Sequence, residues 1–158
     1  MTMKHSKTMG LNICKATEAD LSDILQLYAQ PAFDNHQVLS VDAARRLFNK
    51  MQSYPNYHIY VASIEDNIVG TFALLIMDNL THCGTPSGII EDVAVDPNYQ
   101  GQGIGKQMMT FAMNACKTAG CYKLVLSSNL KRMNAHEFYR SLGFKQHGIS
   151  FVIDLDSE

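Results

Sequence analysis

No window of this 158-residue chain is apolar and long enough to cross a bilayer, and its first residues lack the apolar core of a signal peptide. The expectation is a cytoplasmic protein with no membrane partner. Cysteine is sparse: the four, at positions 14, 83, 116 and 121, have no metal-ligand spacing. They read as free, partly buried thiols, and no metal is expected. Charge of one sign is also missing. Thirteen basic and fifteen acidic side chains leave a formal net charge of −2, with no run of like charges. A protein acting on nucleic acid or another polyanion would usually display a basic patch, so a small-molecule partner is favoured. Internal repeats and low-complexity tracts are absent too. The length suits one domain, 11–158, behind a mobile segment at 1–10.

What is present is organised around residues 89–117. Ile89-Ile90-Glu91-Asp92-Val93-Ala94-Val95 is apolar and β-branched except for two adjacent carboxylates, placed where a core strand least tolerates them. Asp96-Pro97-Asn98-Tyr99 leads to Gln100-Gly101-Gln102-Gly103-Ile104-Gly105-Lys106, and then to a helix with Ile104, Met108, Phe111 and Ala115 on one face. Glycines remove the Cβ atoms that keep a ligand from the backbone, so consecutive N–H groups can converge on an anion. The helix adds its unpaired first-turn N–H groups and the positive end of its dipole. The stretch therefore reads as a phosphate seat, with a tight strand-to-helix turn as the plainer reading. A Walker A loop would need glycine where Gln100 stands and Ser or Thr where Gln107 stands; a dinucleotide fingerprint would need glycine at Lys106.

Gln100, Gly103 and Gly105, after a strand ending in Val-Asp-Pro, fit Gln/Arg-x-x-Gly-x-Gly/Ala. That pattern resembles motif A of the GCN5-related N-acetyltransferases (GNAT). Ala135-His136-Glu137-Phe138-Tyr139-Arg140-Ser141-Leu142-Gly143-Phe144, a short helix ending in Tyr-x-x-x-Gly-Phe, resembles their motif B. The resemblance runs through residues 57–155. It implies an α/β (α+β) GNAT fold: a single mixed, mostly antiparallel sheet of six to seven strands, helices on both faces and a splayed central strand pair. It also implies acetyl-CoA as cosubstrate, its pyrophosphate held by Gln100, Gly101, Gln102, Gly103, Ile104, Gly105 and Lys106, and its pantetheine arm paired with the backbone of Val93 and Val95. Residues 90–95, 99–103 and 120–123 look like glucosamine-6-phosphate N-acetyltransferases, and the segment around Asn129-Leu130-Lys131-Arg132 like aminoalkylphosphonate N-acetyltransferases.

Acetyl transfer to an amine needs a neutral nucleophile, a polarised thioester carbonyl and a proton for the leaving thiolate. An alkylamine of pKa about 10 is neutral in roughly one molecule in a thousand at pH 7, a deficit of about 4 kcal/mol. Glu91 is the candidate base, with Asp92 orienting the acceptor or serving as base instead. Alternation along a strand sends neighbouring side chains to opposite faces unless a β-bulge intervenes, and both carboxylates can also be purely structural. Tyr139 is the candidate acid, or a core aromatic. The family's usual asparagine seven residues before that tyrosine is Arg132 here. Arg132, with Lys131 and His136, is expected to meet a small anionic amine, although solvated surface charges or contacts to the coenzyme's phosphates explain the basic pair equally. A non-catalytic acyl-CoA sensor, an acetyltransferase acting on a protein or peptide amine, and a nucleotide-binding module are the competing readings. A homodimer is left open.

Elsewhere the pattern predicts a short strand over 11–14, a helix from the Thr17/Asp20 capping box through Tyr28, and a second helix from Ser40 to about Gln52. Strands follow over 57–64, 68–77 and 122–127, and one or two more over 144–154. In the resembling family, the loop over 30–39 and the second helix form part of the acceptor pocket, although Phe33 and His36 there can equally close the core and decorate a surface loop.

Overall fold

A computed structural model describes residues 10–33 and 36–155. The expected mobile segment, save Gly10, lies outside the described residues. The elements are β1 (Asn12–Lys15), α1 (Leu21–Tyr28), α2 (Val41–Met51), β2 (Tyr57–Ile64), β3 (Asn67–Met77), β4 (Ser87–Val95), α3 (Ile104–Thr118), β5 (Lys123–Leu126) and α4 (Met133–Ser141). The chain divides into two compact units, one through Val125 and one from Leu126 onward.

Local chemistry sets most element ends. Thr17 N and Oγ1 both donate to Asp20 Oδ2, at 2.7 and 3.0 Å, and this box opens a single 3-10 turn that continues into α1. Ser40 Oγ accepts from Ala43 N at 3.2 Å and starts α2. Glu65 and Asp66 take left-handed φ of 48 and 67°, the backbone that a tight hairpin between β2 and β3 requires.

The sheet runs in the order β1-β2-β3-β4-β5, with the first three pairings antiparallel. β5 follows α3, the helical connection that parallel neighbours need. Tyr122 N donates to Pro86 O at 3.0 Å and so sets the start of β5 beside the start of β4. Helices cover both faces, as the alternation in β2 makes plain. Val61 packs with Ala16, Leu21, Ile24, Ala44 and Phe48 under α1 and α2. Its neighbour Tyr60 turns the other way, 5.1 Å ring to ring from Phe111 of α3 and 5.2 Å from Phe72 of β3.

Two expectations need correction. The sheet has five strands among the described residues, not six or seven: 144–155 forms none. Ile149, Phe151, Val152, Ile153 and Leu155 are 78–90% exposed. Alternation there is strand-like, but a strand exists only where a partner edge completes its ladder, and no described residues pair with this segment. The buried face of α3 is also turned from the one expected. Ile104, Met108, Met109, Ala112 and Cys116 are buried, whereas Phe111 and Ala115 are half-buried at its margin.

Candidate active site

The two carboxylates of β4 stand at a fault in the ladder. Before it, Ala73 pairs with Glu91; after it, Thr71 pairs with Ala94, so Asp92 and Val93 together oppose Phe72. This is a β-bulge, and Asp92 takes the left-handed φ of 54° at its turn, a backbone that Asp tolerates better than most side chains. The bulge overrides the alternation that would send Glu91 and Asp92 to opposite faces. Both lie close enough to raise the pKa of the Tyr57 phenol, after the larger effect of burial. Glu91 is itself raised, by burial first and then by the Asp92 charge. A carboxyl so perturbed holds a proton more readily than an ordinary surface glutamate.

The ladder also fixes where the backbone past the bulge points. Asp96 N donates to Val69 O at 2.9 Å, so Asp96 and Ala94 turn their polar groups to β3, and the N–H and C=O of Val93 and Val95 face the opposite edge. Four-residue β5 begins level with residue 86 and lies beside residue 88, where a Cβ would stand 2.9 Å from Leu124 Cδ1. It is too short to accompany β4 through the bulge. Among the described residues, the edge of Val93 and Val95 is therefore left without a strand neighbour. The Val95 carbonyl is taken: Gln30 Nε2 and Gln100 Nε2 each donate to it at 3.2 Å. The N–H groups of Val93 and Val95 remain aimed at the open edge.

Beyond β4 the turn is built by its own side chains. Asp96 Oδ1 accepts from Asn98 N at 2.8 Å, and Gln102 Nε2 donates to Asn98 O at 3.2 Å. Gln100 and Gln102 thus commit their side-chain amides to shaping the loop. Gly101 and Gly103 take φ of 74 and 81°, and a Cβ on either would meet nothing within 4 Å. The space before them is open. Gly103 is the N-cap of α3 and no side chain among the described residues caps the helix; its first backbone bond is Gln107 N to Gly103 O, at 3.1 Å. The N–H groups of Ile104, Gly105 and Lys106 precede that bond. Ile104 anchors the turn in the core at 3% exposure, while Lys106 is exposed. Open space, left-handed glycines and free first-turn donors fit a diphosphate.

Two tyrosines that the sequence did not single out join the carboxylates. Tyr28, at the end of α1, meets the hydroxyl of fully buried Thr71, and its pKa is pushed well above the usual phenol range by burial and then by Asp92. Thr71 Oγ1 in turn donates to Tyr60 O at 2.8 Å. Both phenols stay protonated beside the carboxylates. Tyr28 also lines a groove of about 370 Å3 with Leu25, Gln37, Val38 and Leu39. No spacing rule links positions 28 and 57 to 91 and 92, and the resemblance assigned only the loop over 30–39 and the second helix to the acceptor pocket.

Arg132, His136 and Tyr139 belong to the second unit. His136 Nε2 contacts Asn129 O at 2.9 Å, and because a carbonyl only accepts, that nitrogen carries a proton. The ring thereby ties the 129–132 turn to the first turn of α4. Lys131, Arg132, Met133, Asn134 and Ala135 line a groove of about 330 Å3 with two cations and no carboxylate. Tyr139 packs between Phe138 and Phe144, at ring distances of 5.2 and 5.8 Å. Burial raises its pKa and Arg132 partly opposes that rise, so the phenol keeps its proton at neutral pH. Ser128 Oγ is buried without a hydrogen-bond partner among the described residues.

Residues 21–144 match the Acetyltransferase (GNAT) family. The chain is 31% identical over 152 residues to the aminoalkylphosphonate N-acetyltransferase of Salmonella typhimurium, covering 96% of this chain and 98% of that one. It is 40% identical over 88 residues to the glucosamine 6-phosphate N-acetyltransferase of Trypanosoma brucei brucei, 56% of this chain and only 58% of that relative's length. A crystal structure of an acetyltransferase from Trypanosoma brucei superposes with a TM-score of 0.80 at 30% identity, covering 92% of this chain and all of that one (100%).

Proposed function

The chain belongs to the Acetyltransferase (GNAT) family, and on that premise we infer that it transfers an acetyl group from acetyl-CoA to the primary amine of a small anionic molecule, by direct attack in a ternary complex. The observation that carries this reading is the left-handed bulge at Asp92, which interrupts the β3–β4 ladder beside two carboxylates and past which no strand among the described residues accompanies the other edge of β4.

Acetyl-CoA supplies the activated acyl group. The N–H groups of residues 104–106 and the left-handed glycines before them hold its diphosphate, and Val93 and Val95 N–H groups pair with the pantetheine amides as a neighbouring strand would. Val93 N–H, or a donor beside it, polarises the thioester oxygen. Glu91 takes the ammonium proton, directly or through a water, and Asp92 orients the amine; a positioned base is worth about 10²- to 10⁴-fold. The raised Glu91 pKa brings the base nearer to the operating pH, which favours that task. Tyr139, kept protonated by burial, corresponds to the family's proton donor for the departing thiolate.

The substrate class rests on the groove of Lys131 and Arg132 and on the names of relatives that act on a sugar phosphate and an aminophosphonate. The test is thiol release from acetyl-CoA over a panel of amines. Phosphorylated and phosphonate amines should surpass neutral polyamines, and Arg132→Ala should raise KM for the anionic members only. Equal rates across the panel would remove the anionic assignment; coenzyme binding without turnover on any amine would remove the enzyme.

A further inference from the structure

α3 ends in a left-handed turn that places two cysteines in contact. Gly120 takes φ 75°, Cys121 N donates to Cys116 O at 2.9 Å, and Gly120 N donates to Lys117 O at 3.0 Å. In this helix-closing motif, the residue after the left-handed position ordinarily presses an apolar side chain onto the residue where the outer bond ends. Here both places hold cysteine, close enough for Cys121 to raise the Cys116 pKa after the larger effect of burial.

We propose that Cys116 and Cys121 form a modification site, a dithiol that a small-molecule disulfide oxidant closes into a disulfide within the folded chain. The backbone permits it. With the carbonyl oxygen and amide nitrogen 2.9 Å apart, standard bond lengths cap the Cα separation at about 6.8 Å, within the disulfide range, and the bend of the turn shortens it further. Burial differs between the partners in a way that orders the steps. Cys116 is 4% exposed and packs where β4 and β5 start; a Cβ on Gly88 would overlap its Sγ. Burial, and then Cys121, push its thiol up to about 12. Cys121 is half-exposed.

The more accessible Cys121 therefore reacts first. Its thiolate attacks one sulfur of oxidised glutathione, forming a mixed disulfide and releasing one glutathione thiolate, which takes up a proton. Cys116 sulfur then attacks Cys121 sulfur, its proton passing to the second departing glutathione thiolate. Two protein thiols are oxidised and one glutathione disulfide is reduced to two thiols. The bond formed staples the far end of the helix whose first turn forms the diphosphate seat.

The full chain is incubated with oxidised glutathione, denatured, alkylated with N-ethylmaleimide and weighed intact. The reduced protein should carry four adducts, one for each free cysteine; in the oxidised protein exposed Cys14 and Cys83 carry either an adduct or a glutathione, and two further adducts are lost with no glutathione mass in their place. Trypsin should then release 107–117 joined to 118–123. Cys121→Ser should give neither the internal link nor a stable glutathione adduct on Cys116. Four adducts after oxidation, a glutathione adduct persisting on Cys121, or a link mapped to Cys14 or Cys83 would each overturn the proposal.

Discussion

Replacing Gly103 by alanine separates the seat from the scaffold, because Gly120→Ala delivers the same backbone insult elsewhere. The two glycines have φ of 81 and 75°, and at both a Cβ would meet nothing within 4 Å. Neither substitution creates a clash inside the protein. Each forces an L-residue into the left-handed region, at about 1–2 kcal/mol. For a domain of this size the thermal midpoint then falls by about 2–4 °C per kcal/mol.

At Gly120 the account ends with that loss. At Gly103 the added methyl enters the open space before the first-turn N–H groups of α3. Losing a single hydrogen bond to a charged group there is worth about 1.5–3 kcal/mol, which is roughly ten- to hundredfold in affinity. Thermal melts and calorimetric titration of coenzyme A on both variants form the assay. We expect equal destabilisation, a tenfold or greater weakening of coenzyme binding in Gly103→Ala alone, and kcat near wild type at saturation. Weakening of the same size in Gly120→Ala, or none in Gly103→Ala, would refute the placement of the diphosphate.

The carboxylates and the phenol give the remaining predictions. Glu91→Gln should lower kcat by about 10²- to 10⁴-fold. Its stability effect has a definite sign: the folded pKa is raised, so the favourable contribution of protonated Glu91 is present in full below the ordinary carboxylate range and lost as pH rises through the folded value. The variant should therefore be at least as stable as wild type at pH 7 in denaturant titrations, and lose that advantage in acid. Asp92→Asn removes a charge that raises Glu91, so the acidic limb of the kcat/KM profile should move to lower pH; an unmoved limb would mean that Glu91 is not the titrating base. Tyr139→Phe should depress kcat by about 10²-fold or more with little change in KM for acetyl-CoA, read by steady-state kinetics. Unchanged kcat would reduce this ring to its packing between Phe138 and Phe144.

How much of this was legible in the sequence depends on how far apart the cooperating residues lie. The Thr17/Asp20 box, the Ser40 cap and the glycine turn at 101–103 are short-range devices, and each stands where its residues predicted. Phe111 shows the next grade of difficulty. A helical face read from periodicity was turned by about one residue, with the Phe111 ring at the margin of the buried stripe in tilted and edge-on contact with Tyr60 and Phe72. At 144–155 the pattern failed outright, since alternation states a preference and only a partner edge makes a strand.

The site itself belongs to the long-range class. Two adjacent carboxylates in an apolar strand signalled an exception, and a bulge was the condition under which both could serve one cleft. Its position was not legible, because it is created by Ala73 pairing with Glu91 while Thr71 pairs with Ala94. That register also brings Tyr57 to the carboxylates and Tyr28 to Asp92, across sequence separations that no local pattern encodes. The tyrosines beside Glu91 and Asp92 thus come from elements whose own sequences are ordinary. No local signal could have found them: Glu91 and Asp92 stand exposed where the ladder breaks, so water can solvate both carboxylates and no burial cost obliges another element to supply polar neighbours.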